Sequence, residues 1–375
     1  MRSSAKDGVN EPLPMRIALI GDAQSPHLLK WGRALAAMPQ IELWVASSRG
    51  FLPGWDGVVD ASRRLALDAR PRAAGGNLGV LRGLPLLTRW LARVDADWLH
   101  APYLTSHGTL AWLARRIFRL RARLVVSAWG SDILVTPQRS AAYRWLTRRV
   151  LRASVLSTSD SAHMAQRMRA LGAGEVMTFP FGLEAMPALA QRKDDWLFFA
   201  NRGLEPVYRP HAVLALFAGI AATQPSARLV VANTGSLAAA LPDAARAHGL
   251  RAGSLAAGDQ VEFSGRLDAA QLAAFYAQAQ WFVSLPASDS IAVSVLEAMA
   301  HGCIPLLSDL PANRELVRDG ENGVIVDARG SVASAALRTL LDDAAGIAAD
   351  NRRWIAEHAL FAPAVERFVA RLREL

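Results

Sequence analysis

Short apolar runs alternate with longer amphipathic stretches along nearly the whole chain. "RIALIG" (16–21), "IELWVAS" (41–47), "DWLHA" (97–101), "RLVVSAW" (123–129) and "SVLSTS" (154–159) have the length and near-continuous apolar character of strands buried on both faces. Between them, "SPHLLKWGRALAAM" and "TLAWLARRIFRL" carry helical spacing. In the second, Leu110, Leu113, Ile117 and Leu120 form one stripe, with Arg115, Arg116 and Arg119 outside it. The pattern restarts after "FPFGLEAMPALAQRKDDW" (179–196), whose prolines, glycine and charge cluster read as a linker. "WLFFAN", "ARLVVAN", "QVEFSG", "WFVSLP" and "NGVIVD" then read as strands, and "HAVLALFAGIAA", "SLAAALPDAARAHGL" and "AQLAAFYAQA" as helices.

Strand–helix–strand alternation predicts doubly wound parallel sheets. The expected organisation is an α/β half over 15–187, a second over 188–358, and a terminal helix over 359–375 returning toward the first. Two such halves facing each other would hold a ligand at the carboxyl ends of their strands.

The stretch "SDSIAVSVLEAMAHGCIPLLSD" sets Asp289 eight positions before Glu297, with an apolar run between. In one continuous helix, positions eight apart differ by about 80° and share no face. A helix beginning just after Asp289 removes the conflict. Asp289 is then either an N-cap beside a solvated Glu297, or part of a ligand site. In the second reading the amides of Ser290, Ile291 and Ala292 cradle a phosphate at the helix mouth, and Glu297 accepts ribose hydroxyls.

Composition narrows the classes. With 52% hydrophobic and 20% charged residues the chain is an ordinary folded protein, and no apolar run is long enough to span a bilayer. The single cysteine, Cys303, excludes an internal disulfide and a multi-cysteine metal site, and no other metal-ligand cluster is apparent. The net charge of +9 is uneven: the first 190 residues hold 25 Lys and Arg against 13 Asp and Glu, together with eight of the eleven tryptophans. A basic, Trp-rich half suits an anionic membrane surface or a phosphorylated ligand. No nucleic-acid-binding signature accompanies it. A cytoplasmic protein is expected, peripheral on the inner face of the membrane.

The segment "SDSIAVSVLEAMAHGCIPLLSDLPANRELVRDGENGVIV" resembles the signature of family-4 retaining glycosyltransferases of the GT-B fold. It has the acidic residue, the glutamate of "LEAMA", Gly302 and Pro305, and Glu315 ahead of "DGENG". "RIALIGDAQSPHLLKWGRAL", "VVSAWGSDIL", "NRGLEPVY" and "VEFSGRLDAAQLAAFYAQAQWFVSLP" occur in the family's order. The resemblance implies a nucleoside-diphosphate sugar as donor, held by Glu297, by the amides of Ser290, Ile291 and Ala292, by backbone near Arg266 and by the loop at Gly235. It gives catalytic or charge-stabilising roles to Asp289, Arg202, Asp132 and His107, with Tyr208 and Arg209 beside Arg202. In the first half it places Gly21, Asp22 and Ser25 on the donor side, and His27 and Trp129 toward a carbohydrate or lipid-linked acceptor. No metal and no cofactor are implied.

Three positions depart from the family's pattern. "DSIA" replaces an acidic residue with a Gly-rich step after it, Tyr208 stands where a lysine is usual, and Trp129 where a histidine is usual. These departures motivate a rival reading, a degenerate transferase-like subunit that binds nucleotide sugar without turning it over. A dinucleotide oxidoreductase is disfavoured because "GDAQSP" breaks the Gly-rich fingerprint after the first strand. A sugar-nucleotide epimerase would leave the "LEAMA" block unexplained.

Overall fold

The structure is a computed structural model that describes residues 13–69, 78–190, 192–327 and 330–375. Its first sheet comprises β1 (Met15–Gly21), β2 (Ile41–Ser47), β3 (Arg64–Ala66), β4 (Trp98–Pro102), β5 (Arg123–Ser127), β6 (Leu156–Ser159) and β7 (Glu175–Thr178), in the spatial order 3-2-1-4-5-6-7. Its second comprises β8 (Asp194–Ala200), β9 (Arg228–Ala232), β10 (Val261–Gly265), β11 (Ala279–Ser284), β12 (Ile304–Ser308) and β13 (Val324–Val326), in the order 10-9-8-11-12-13. Strand pairs in both sheets run parallel, with registers such as Ile17↔Leu43 and Trp281↔Phe198. Each sheet therefore reverses its order once, between β1 and β4 and between β8 and β11. Ligands of open α/β sheets bind at such switch points.

The apolar runs form strands because helices cover both faces of each sheet. In the second, Phe198, Leu229, Val231, Trp281 and Val283 pack to one side, with Leu214 and Phe217 of the helix Pro210–Thr223. Their chain neighbours Phe199, Val230 and Phe282 pack to the other, with Leu296 and Met299 of the helix Val293–Ala300. The two-residue period of a strand thus feeds two cores, which is why these strands are apolar along most of their length.

Several expected boundaries move. The acidic end of the expected linker begins β8, where Asp194 pairs with Arg228 on the neighbouring β9. "SLAAALPDAARAHGL" gives only the helix Leu241–Ala247: a proline is tolerated in the first turn of a helix, and Pro242 fixes where this one starts. The helix at "TLAWLARRIFRL" ends at Ile117, which is 57% exposed, so Ile117 and Leu120 do not continue the buried stripe.

The chain divides into two compact units. One holds Met1–Ala128, Trp145–Ser157 and Gly172–Glu175, and the other Trp129–Arg144, Thr158–Leu171 and Val176–Leu375. No helix among the described residues is long and apolar enough to cross a membrane.

Candidate functional site

At the switch point of the second sheet, the loops after β8 and β11 bring the two predicted carboxylates to one helix. That helix begins at Val293, not just after Asp289, and its cap residue Ala292 supplies no side-chain hydrogen bond. Asp289 is therefore not an N-cap. Its carboxylate accepts from its neighbour Ser290 N at 3.0 Å and pairs with the Arg202 guanidinium. Ser290, Ile291 and Ala292 lie in an irregular buried loop, so the helix's open N–H groups belong to Val293 and Ser294. Glu297 then stands just past the first turn of the helix.

Arg202 spans the helix mouth. One amino group donates to Ser294 Oγ at 3.1 Å, the other meets Asp289, and the guanidinium lies 4.6 Å from the centre of the Tyr208 ring. Tyr208 thus supports the arginine as a cation–π platform. Burial pushes the Asp289 carboxyl up, opposed by the Arg202 charge and the Ser290 N–H.

Glu297 is held from the side. Its Oε2 accepts the Tyr276 hydroxyl at 3.0 Å, and that hydroxyl accepts from Asn201 Nδ2 at 2.7 Å. The Tyr276 ring is stacked on His301 at 5.4 Å and meets Phe199 edge-on at 5.2 Å. Desolvation, with the Glu297 charge second, raises the phenol well above its usual range, so it remains a donor. Neither Tyr276 nor Asn201 is singled out by the sequence, because each sits in an unremarkable helix or strand end far from Glu297 in the chain.

The remaining second-unit candidates spread around this centre. Gly235 lies against the Leu204 backbone, where an added Cβ would come within 2.4 Å of the carbonyl oxygen. Glu205 ties the same two loops by accepting from Ser236 N at 2.9 Å and from its hydroxyl at 2.5 Å. Arg209 and Arg266 are exposed, Arg209 at the start of the helix Pro210–Thr223 and Arg266 after β10. Asp132 is fully buried and accepts from Trp129 N at 3.0 Å; Trp129 packs 6.2 Å from Phe181.

Beside Asp289 the structure places a third carboxylate that sequence reasoning missed. Asp160, just after β6, accepts a hydrogen bond from Ser290 Oγ. Burial pushes its pKa up to about 8, with Asp289 and Asp132 adding to the rise and the Ser290 and Ile291 hydrogen bonds opposing it.

At the switch point of the first sheet, Asp22 pairs with Arg49, and Ser25 caps the helix Pro26–Ala36 by accepting from His27 N at 3.3 Å. His27 itself is exposed. Gly21 makes room for that helix, since a Cβ would stand 2.5 Å from Leu28 Cδ1. His107 lies in a π-helical turn, Leu104–Gly108, with its ring nitrogens 3.2 Å from Ser106 Oγ and 3.0 Å from Ser48 Oγ. Desolvation lowers its pKa to about 4, so the imidazole is neutral and hydrogen-bonded.

Residues 183–358 match the family model described as glycosyl transferases group 1, and residues 16–161 match glycosyl transferase 4-like. A GDP-mannose:cellobiosyl-diphosphopolyprenol alpha-mannosyltransferase of Xanthomonas oryzae is 38% identical over 78 residues, 21% of this chain. The chain spans about a fifth of that relative's length (20%). Among solved structures, Anabaena Alr3699/HepE in complex with UDP-glucose is similar with a TM-score of 0.75 at 15% identity, covering 96% of this chain and 100% of that one. The sucrose-phosphate synthase of Thermosynechococcus elongatus gives 0.74 at 16% identity, covering 96% and 98%. Each half of the chain thus matches a glycosyltransferase family model, and its two-sheet α/β fold is that of the GT-B glycosyltransferases.

Proposed function

We propose that the protein transfers a glycosyl group from a nucleoside-diphosphate sugar to a hydroxyl acceptor with retention of configuration, as a family-4 enzyme. One observation carries the reading: Arg202, Asp289, Ser294 and Glu297 converge on one helix start, with a cation and open amides at the mouth and a held carboxylate past the first turn. The diphosphate sits against the Val293 and Ser294 amides and competes with Asp289 for Arg202. Arg202 then meets the charge that develops as the glycosidic bond breaks. Released from that pair, Asp289 accepts hydroxyls of the transferred sugar, and Glu297 accepts those of the ribose. The leaving phosphate takes the acceptor proton, so the reaction calls on no separate enzymic base and no metal. The nucleotide sugars in the names of the similar proteins support this donor class.

The acceptor is assigned to residues 15–187 and the donor to 188–358, a division that the separate family matches support. The helix Ala141–Ala153 supports a lipid-linked acceptor at an anionic membrane surface on the cytoplasmic side, as in polysaccharide, lipopolysaccharide or glycolipid assembly. It exposes Trp145 (52%) among Arg144, Arg148, Arg149 and Arg152. Trp90 offers less, because its ring packs on Trp44 at 6.0 Å.

The test is incubation with a panel of nucleoside-diphosphate sugars. Slow release of nucleoside diphosphate by the wild type, lost in Glu297→Ala, is expected. Binding without turnover would mark a partner subunit instead.

A further inference from the structure

From the contacts around the loop after β11, we infer that Asp160 is a positioning residue for the donor site: it holds the segment that carries Asp289. This rests on the donor reading above. The loop from Leu285 to Ala292 has no regular structure; the Ala287 N–H on the Val207 carbonyl (2.8 Å) and the Ser308 hydroxyl on the Pro286 carbonyl (2.9 Å) fix its first part, and side chains grip its second. Asp160 is 8% exposed and accepts from both the Ser290 hydroxyl and the Ile291 N–H. Ser290 Oγ is gripped a second time by Ser161 Oγ at 2.7 Å.

The gripping segment is itself pinned. Ser161 caps the helix Ala162–Ala170 by accepting from Met164 N at 3.1 Å. The Glu315 carboxylate takes the N–H groups of Ala162 and His163 at 2.8 Å each. Glu315, noticed in the sequence as part of a motif, is thus the clamp on the element that positions Ser290.

Charge decides what state Asp160 works in. It faces Asp132 from the short helix Ser131–Leu134 and Asp289 from the loop, with Arg202 paired to Asp289 and Glu315 already committed to backbone amides. A buried group beside two carboxylates keeps its proton, here up to about pH 8. Below that point the loop is held by a neutral acid. Above it, a further negative charge appears next to the place where an anionic donor must sit.

The experiment compares wild type, Asp160→Asn and Asp160→Ala. Asparagine keeps a carbonyl for Ser290 and Ile291 and never ionises. Donor kcat/KM of the wild type is expected to fall as pH rises through about 8, with no such limb in Asp160→Asn. Asp160→Ala is expected to raise donor KM about tenfold, and Asp160→Asn to restore most of it. An alkaline limb retained in Asp160→Asn, or a donor KM in Asp160→Ala within about twofold of wild type, would overturn the inference.

Thermal unfolding reads the same group without any turnover. Between the ordinary 3.8 and about 8, folded Asp160 holds a proton that the unfolded chain does not, so wild-type stability declines with rising pH across that window. Its Tm relative to Asp160→Asn should fall accordingly, and parallel curves would refute the proton-retaining state. A wild type that releases no nucleoside diphosphate from any sugar nucleotide would instead sink the donor reading and leave this thermal comparison standing.

Discussion

Tyr276→Phe removes one oxygen atom and tests whether Glu297 is held or merely present. The hydroxyl is 3.0 Å from Glu297 Oε2 and 2.7 Å from Asn201 Nδ2, on a residue 2% exposed, so water has little access to replace it. A hydrogen bond to a charged acceptor contributes about 1.5–3 kcal/mol, and an orphaned buried donor at Asn201 costs about 1–3 kcal/mol. The two overlap, and an unfolding free energy lowered by about 2–3 kcal/mol in urea titration is the expected result. With this hydrogen bond gone, part of the ordering of Glu297 falls to the ligand, at about 0.5–1.5 kcal/mol, or roughly two- to tenfold in Kd. Calorimetry with ribonucleoside and 2′-deoxynucleoside diphosphates separates this from general damage. The variant should weaken the ribonucleotide more than the deoxynucleotide. Equal weakening of both, or lost stability with unchanged Kd, would refute the positioning role of Tyr276.

The same contacts predict three further outcomes. Arg202→Lys cannot reach Ser294 and Asp289 together from a point charge, so kcat for nucleoside-diphosphate release should fall about a hundredfold; an unchanged kcat would remove Arg202 from the reaction. Glu315→Ala leaves the first amides of the helix Ala162–Ala170 unpaired and should cost about 1–2 kcal/mol of stability by urea titration, whereas no loss would show water capping them equally well. Trp145→Ala should reduce sedimentation with anionic vesicles, and added salt should release the wild type; equal binding to neutral vesicles would contradict the electrostatic part.

Much of the fold is legible in the chain because parallel strands covered on both faces must be apolar throughout. "LFFA", "RLVVA" and "WFVS" have strand character throughout, and the residues just beyond the first and the last of them fall at the switch point where ligands bind. Contacts between residues distant along the chain set the features that the sequence conceals. The start of the helix carrying Glu297 is misplaced because Ala292 has no capping side chain to announce it, while Ser290, a good cap by type, is drawn away by Asp160. Tyr208 reads as a lost lysine until its ring is seen beneath Arg202. Asp194 reads as linker until Arg228 on the next strand neutralises it. Glu315 is visible as a motif residue, yet its task as a helix cap depends on a segment about 150 positions earlier.

A crystal structure with a nucleoside diphosphate bound tests the central claim most directly. The ribose hydroxyls should lie within hydrogen-bonding distance of the Glu297 carboxylate, with the terminal phosphate on Arg202 and on the Val293 and Ser294 amides. A nucleotide bound elsewhere, or one seated there with the Arg202–Asp289 pair intact and Glu297 out of reach of the ribose, would contradict it.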